Sequence, residues 1–342
     1  MHPTQRQTGL SWRALYFWLA AGLFFTAAAV VFFRPAAAAG KKWQIFAPIT
    51  SIIGGWGCFV LSRRWLNSFW ASAIAGIAYG FSPFLLSFRI YHPLAGLGVA
   101  VLPWLFCPAA LWNRYAQPSV KVHLRRLPLL LLPFVWLLLF YWLPAQPWLG
   151  PYSLMPSAQQ LRLEDLAAIL EFPSAATGQI LVGFYAIALI LAVMGLFVYS
   201  FLLRVLVLLV PLAGLVLAFC GPILNVPPIA WAALPMLFLS VLAGLGAQAM
   251  VLAGPADRKW IFACLCLAAF LAAAGIVLTF SRPDGQRYWM PAAMYGLAFL
   301  TAGSIYFLCA KQLRLTFLRW LLVGIALAIN LFCTGQTIIT SL

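Results

Sequence analysis

The feature that most constrains this chain is its uncharged apolar runs. Leu127 to Leu143 and Trp260 to Phe280 contain no Asp, Glu, Lys or Arg. Each is about as long as a helix must be to cross a hydrocarbon core of roughly 30 Å at a rise of about 1.5 Å per residue. A water-soluble domain has nowhere to hide so many runs. The chain is 65% hydrophobic and 8% charged, against about 45–50% and about 25% in ordinary soluble proteins, and its mean hydropathy is +1.00. The expected fold is all-α: a polytopic transmembrane bundle of about ten or eleven spans, forming a single integral membrane domain over residues 1–342.

Charge clusters and Pro/Gly turns punctuate the sequence into spans near residues 14–33, 46–62, 68–88, 94–112, 127–144, 178–199, 203–220, 229–252, 260–280, 289–309 and 316–334. Pro83 and Pro103 are positioned to break the third and fourth, because proline removes a backbone donor. Arg6 and Arg13 precede the first run, and Ala36 to Ala39 resemble a cleavage site. The run of about 20 residues exceeds a signal-peptide core, so an uncleaved first span is expected.

The formal charge of +16 arises from 21 Lys and Arg against Glu164, Asp165, Glu171, Asp257 and Asp284. On a soluble chain this excess would suggest nucleic acid. Here the cations sit in short loops, where they set orientation and meet anionic headgroups, and no nucleic-acid partner is expected. Placing the N-terminus in the cytoplasm puts about twice as many cations inside as outside, with Arg319 among those on the inner side and Arg34, Lys41, Lys42, Arg89, Arg162, Arg282 and Arg287 outside. The implied location is a bacterial cytoplasmic (inner) membrane. The seven Cys show neither zinc spacing nor a disulfide framework and read as small buried hydrophobes. Neither a metal nor a cofactor is expected.

Residues 145–177 form the one extramembrane stretch longer than a tight loop. Ser157 with Gln160 makes a capping-box pattern, and Leu163, Leu166, Ala167 and Leu170 recur at helical spacing while Glu164, Asp165 and Glu171 point elsewhere. A short amphipathic helix on the outer face is the expectation. No acid falls inside a span, which argues against an ion-coupled carrier. Asn225 and Asn330 read as interhelical hydrogen-bonding groups. Arg89, Tyr91 and His92 fall at the outer headgroup level, where a cation and an imidazole can hold a lipid phosphate; snorkelling of Arg89 and capping of a turn by His92 is the purely structural alternative.

Several segments carry a resemblance. Gly54 to Arg64 (GGWGCFVLSRR), Ala73 to Ser82 (AIAGIAYGFS), His92-Pro93-Leu94 and Leu102-Pro103-Trp104-Leu105 resemble the early helices of GT-C-type bacterial membrane glycosyltransferases, notably the YfhO-like group. Leu163 to Pro173 with Gly183-Phe184-Tyr185, and Phe238 to Met250, are similar to later parts of the same group. The resemblance implies sugar transfer from a polyprenyl-phosphate donor at the outer face, with an acid in the first outer loop activating the acceptor hydroxyl. This chain departs from that pattern: the loop from Arg34 to about Ile45 has no Asp or Glu, and the large C-terminal soluble domain is missing. Two readings follow. The chain is a degenerate, non-catalytic GT-C-like subunit that binds membrane lipid or a protein partner, or it is an active transferase whose catalytic acid is Glu164 or Asp165, with Arg89, Tyr91 and His92 on the lipid phosphate.

Overall fold

The computed structural model describes residues 12–38, 46–88, 91–92, 94–111, 120–145, 154–155, 170, 183–200, 205–223, 226–282, 285–311, 313 and 315–341. The architecture is helical, and among the described residues the only β pairing is an isolated bridge between Ile223 and Val226. In chain order the helices are α1 (Trp12–Ala38), α2 (Phe46–Ser62), α3 (Phe69–Gly80), α4 (Pro83–Ser87), α5 (Ala95–Ala100), α6 (Leu102–Leu111), α7 (Val120–Trp142), α8 (Ala186–Ser200), α9 (Val205–Phe219), α10 (Ala233–Leu252), α11 (Arg258–Ser281), α12 (Gln286–Ala310) and α13 (Thr316–Ser341).

Among the described residues six stretches are long and apolar enough to cross a membrane: Tyr16–Arg34, Phe69–Ser87, Pro228–Leu252, Pro255–Ser281, Gln286–Ala310 and Thr316–Gly335. Five shorter apolar helices, Phe46–Ser62, Ala95–Ala110, Pro128–Trp142, Ala186–Tyr199 and Leu208–Phe219, occupy the other places where the sequence predicts spans. This is an arrangement compatible with a multi-pass membrane protein. The third and fourth predicted spans are broken at Pro83 and before Pro103, as the sequence suggests.

The helix α10 is the axle of the bundle, with α3 and α8 against it and α11, α12 and α13 outside. Lipid tails are as apolar as leucine, so helices in hydrocarbon associate by close van der Waals fit rather than by hydrophobic exclusion. Small residues make that fit at α8 and α10. A Cβ on Gly246 would fall on the Leu191 carbonyl oxygen, within 2.7 Å of Gly195 N, so the two backbones touch there. Outside this packed centre the surface stays apolar: Phe262, Phe270, Val277 and Phe280 of α11 and Leu300 and Phe307 of α12 are exposed.

Contacts between helix ends define two faces. On the first, the Arg63 guanidinium lies 4.8 Å from the Phe17 ring, Gly244 of α10 packs on Leu66 and Ala71, and Arg319 reaches the end of α10. Arg258, Lys259 and Lys311 also lie at this face. The second holds the turn between α4 and α5 and the starts of α8 and α12.

Of the cysteines, Cys58, Cys107, Cys264 and Cys309 are buried as expected, whereas Cys220 and Cys266 are exposed. Cys266 lies on the outward side of α11 with Phe262 and Phe270, where an apolar surface lets a thiol face outward as readily as inward.

Candidate functional site

The site singled out by the sequence sits where the chain leaves helical geometry and re-enters. Proline at 83 offers no N–H to the Tyr79 carbonyl. That oxygen instead accepts from Ser82 N at 3.2 Å and from Ser82 Oγ at 2.8 Å. Ser82 Oγ in turn accepts from Leu85 N at 3.1 Å and so caps the start of α4. Because Leu85 N is committed to this cap, the Phe81 carbonyl lacks its helical donor, and the Tyr185 hydroxyl donates to it at 2.5 Å from just before α8.

The same logic recurs at α5. Proline at 103 cannot donate to the Val99 carbonyl four residues back; the Tyr79 hydroxyl does so at 2.6 Å. From α7, the Tyr141 hydroxyl donates to Ala95 O at 2.8 Å and Trp136 Nε1 donates to Gly98 O at 2.9 Å. An orphaned buried carbonyl costs about 1–3 kcal/mol, and irregular backbone at membrane depth survives only where protein covers it. Aromatic hydroxyls and indoles from α3, α7 and the α8 entry supply that cover.

Tyr91 and His92 lie at the turn between α4 and α5, both half-buried. His92 Nδ1 accepts from Leu94 N at 3.1 Å, and its carbonyl accepts from Ala95 N at 2.9 Å. The imidazole therefore caps the re-entry into α5, which is the structural role weighed from sequence. With Nδ1 an acceptor, the neutral ring carries its proton on Nε2, and that nitrogen is the donor left for a ligand. Arg89, the other predicted phosphate ligand, lies outside the described residues, as do Glu164, Asp165, Glu171, Asp284, Asn225 and most of the predicted amphipathic helix. Of the stretch 145–177, Leu154 and Met155 are buried, and the half-buried Leu170 accepts a 3.0 Å hydrogen bond from Tyr295 of α12.

Among the described residues Asp257 is the one carboxylate. It lies at the opposite face from His92, with Oδ2 accepting from Gly254 N at 2.9 Å. Asn330 performs the interhelical bonding expected of it: fully buried, its Oδ1 accepts from Ile187 N at the start of α8, at 3.1 Å.

Arg319, counted from the sequence among the inner-side cations and inside the span near residues 316–334, is 5% exposed. Its guanidinium donates to Val251 O (3.0 Å), Ala253 O (2.8 Å) and Leu313 O (3.0 Å). It closes the carbonyl end of α10, where the helix dipole favours a cation. The available signal was its position inside an apolar stretch, Phe317-Leu318-Arg319-Trp320-Leu321, rather than in a basic cluster. The donors Tyr79, Trp136, Tyr141 and Tyr185 were also not anticipated; Pro103 identifies the Val99 carbonyl as an acceptor but not its distant partner, and the other three acceptors have no proline four residues on. No protein-family model, curated protein or solved structure matches the chain.

Proposed function

We propose that this chain is a non-catalytic, GT-C-like membrane subunit that uses the turn between α4 and α5 to hold a lipid phosphate or a protein partner at the outer face. The observation carrying this reading is the built turn itself. Tyr185 fastens the break before α4 and Tyr141 the start of α5, and His92 Nδ1 is committed to Leu94 N, which leaves Nε2 as the donor that His92 offers beside Tyr91. Arg89, two residues before Tyr91, adds the charge that an anionic headgroup needs. The predicted first outer loop, from Arg34 to about Ile45, brings no carboxylate that would serve as base for a hydroxyl acceptor.

A second reading, an active polyprenyl-phosphate-sugar transferase, draws on the adjacent acids Glu164 and Asp165. The outer stretch that contains them is anchored to the bundle at Leu154, Met155 and Leu170. The test is the double variant Glu164→Gln/Asp165→Asn, expressed at the parent level. A subunit keeps the parent phenotype; a transferase loses a surface glycan, since a positioned base contributes about 10²–10⁴ in rate. Purification from native membranes gives an independent answer: stable partner subunits accompany a scaffold, and copurifying prenyl-phosphate sugar marks an enzyme.

The proposal places the first face in the cytoplasm. Single cysteines at Asn67 and Gln286, both exposed and at opposite faces, test it in a background without Cys220 and Cys266. In intact cells an impermeant thiol reagent labels Gln286→Cys and reaches Asn67→Cys only after lysis; the reverse pattern inverts the orientation.

A further inference from the structure

The first face carries a groove that the outer-face reading does not use. It has a volume of about 410 Å³ and is lined by Pro255, Ala256, Arg258, Lys259, Phe262 and Tyr306. Arg258 and Lys259 are both exposed. Arg258 Nε donates to Pro255 O at 3.0 Å, which fixes the base of the guanidinium and leaves its two terminal nitrogens for another acceptor. Lys259 Nζ lies 5.1 Å from the centre of the Trp260 ring, an aromatic at interfacial depth. Asp257, the neighbouring carboxylate, is turned onto Gly254 N, and among the described residues neither cation has a carboxylate partner.

Below the cations the groove becomes apolar. The rings of Phe262 and Tyr306 meet at 6.0 Å and join α11 to α12 at its floor. From Phe262 an outward-facing stripe continues along α11 through Cys266, Phe270, Ala273, Val277 and Phe280, all exposed at spacings of three or four residues. That stripe spans about 27 Å at the helical rise, close to the thickness of both leaflets together, and its first part, Phe262 to Ala273, covers about 17 Å, roughly the depth of one leaflet. A free anion would use only the cations. A molecule with an anionic head and long acyl chains matches both the two charges and the stripe leading away from them.

We infer that this groove is a binding site for an anionic phospholipid, its phosphate held by Arg258 and Lys259 and its acyl chains laid along the exposed stripe of α11 from Phe262 to Ala273. The site is independent of the outer turn, lies in the opposite leaflet, and stands whether or not the chain proves to be a transferase. Juxtamembrane cations attract anionic lipid at about fivefold in affinity each, so the pair accounts for on the order of 30-fold.

The experiment uses the full chain in phosphatidylcholine nanodiscs, with phosphatidylglycerol titrated in and bound lipid counted by native mass spectrometry. Phosphatidylglycerol is expected to bind at least about tenfold more tightly than phosphatidylcholine. Arg258→Gln/Lys259→Gln should lower that affinity on the order of 30-fold, while Arg282→Gln/Arg287→Gln on the opposite face leaves it unchanged. Phe262→Ala should weaken phosphatidylglycerol without altering any response to inorganic phosphate. If the double variant does not fold, each single variant carries the test at about fivefold. Equal binding of the two lipids, an equal loss from the opposite-face pair, or competition by inorganic phosphate as strong as by the lipid would each overturn the assignment.

Discussion

The broken segment α3 to α6 and the outer layer α11 to α13 are built from similarly apolar sequence, yet they solve the backbone problem in opposite ways. The helices α11, α12 and α13 are 24, 25 and 26 residues long and run without a break, with Pro291 in the second turn of α12 as the one internal proline among them. They can therefore face lipid, and their spanning windows are only 28%, 44% and 33% buried. The segment from α3 to α6 breaks at Pro83 and before Pro103; the carbonyls freed at Phe81 and Val99 are closed by Tyr185 and Tyr79, and Trp136 and Tyr141 add donors at Gly98 and Ala95. It must lie inside, and the window Phe69–Ser87 is 83% buried. Between these two regions burial thus follows backbone satisfaction more closely than side-chain polarity, as a solvent without hydrogen bonds requires.

That contrast can be broken most severely at the packed centre. Gly246→Val puts side-chain atoms on the Leu191 carbonyl and should cost upward of about 3 kcal/mol or leave no folded protein. Gly324→Ala, in α13 with nothing within 4 Å of its added Cβ, should be neutral or stabilise by up to about 1 kcal/mol. Unfolding in detergent with a fixed lipid content compares the two; similar losses would mean that α8 and α10 are not in backbone contact.

Arg319 should come next. Arg319→Met leaves the end carbonyls of α10 without their cation and should cost about 2–3 kcal/mol. Arg319→Lys should recover less than half, since one ammonium cannot reproduce a two-nitrogen clamp on three carbonyls. Complete rescue by lysine would reduce the residue to a simple surface charge.

A smaller and more diagnostic effect is expected in the broken segment. Tyr79→Phe orphans Val99 O and should cost about 1–3 kcal/mol, whereas Tyr16→Phe on the exposed side of α1 should change stability by less than about 0.5 kcal/mol. Adding Pro103→Ala restores an N–H four residues after Val99 and should return most of the Tyr79→Phe loss. Additive losses in that pair would show that the tyrosine does not replace the donor the proline removes. Least of all is expected at Phe270→Leu on the outer stripe, within about 0.5 kcal/mol.

The sequence by itself determined the class of molecule and the course of the chain. Uncharged runs such as Trp260 to Phe280 can only be helices, because hydrocarbon leaves peptide groups no partner but each other, and that local rule placed the apolar helices and foretold the breaks at Pro83 and Pro103. It also gave Asn330 its interhelical role, since a buried amide needs partners wherever it sits. Tertiary structure decided which donors close the broken carbonyls and that Arg319 is a buried clamp. Those outcomes depend on contacts between residues far apart in the chain, Tyr185 with Phe81 or Arg319 with Val251. Hydropathy reports only how much a residue prefers lipid, and in a chain apolar on nearly every face it carries little information about which face meets which neighbour.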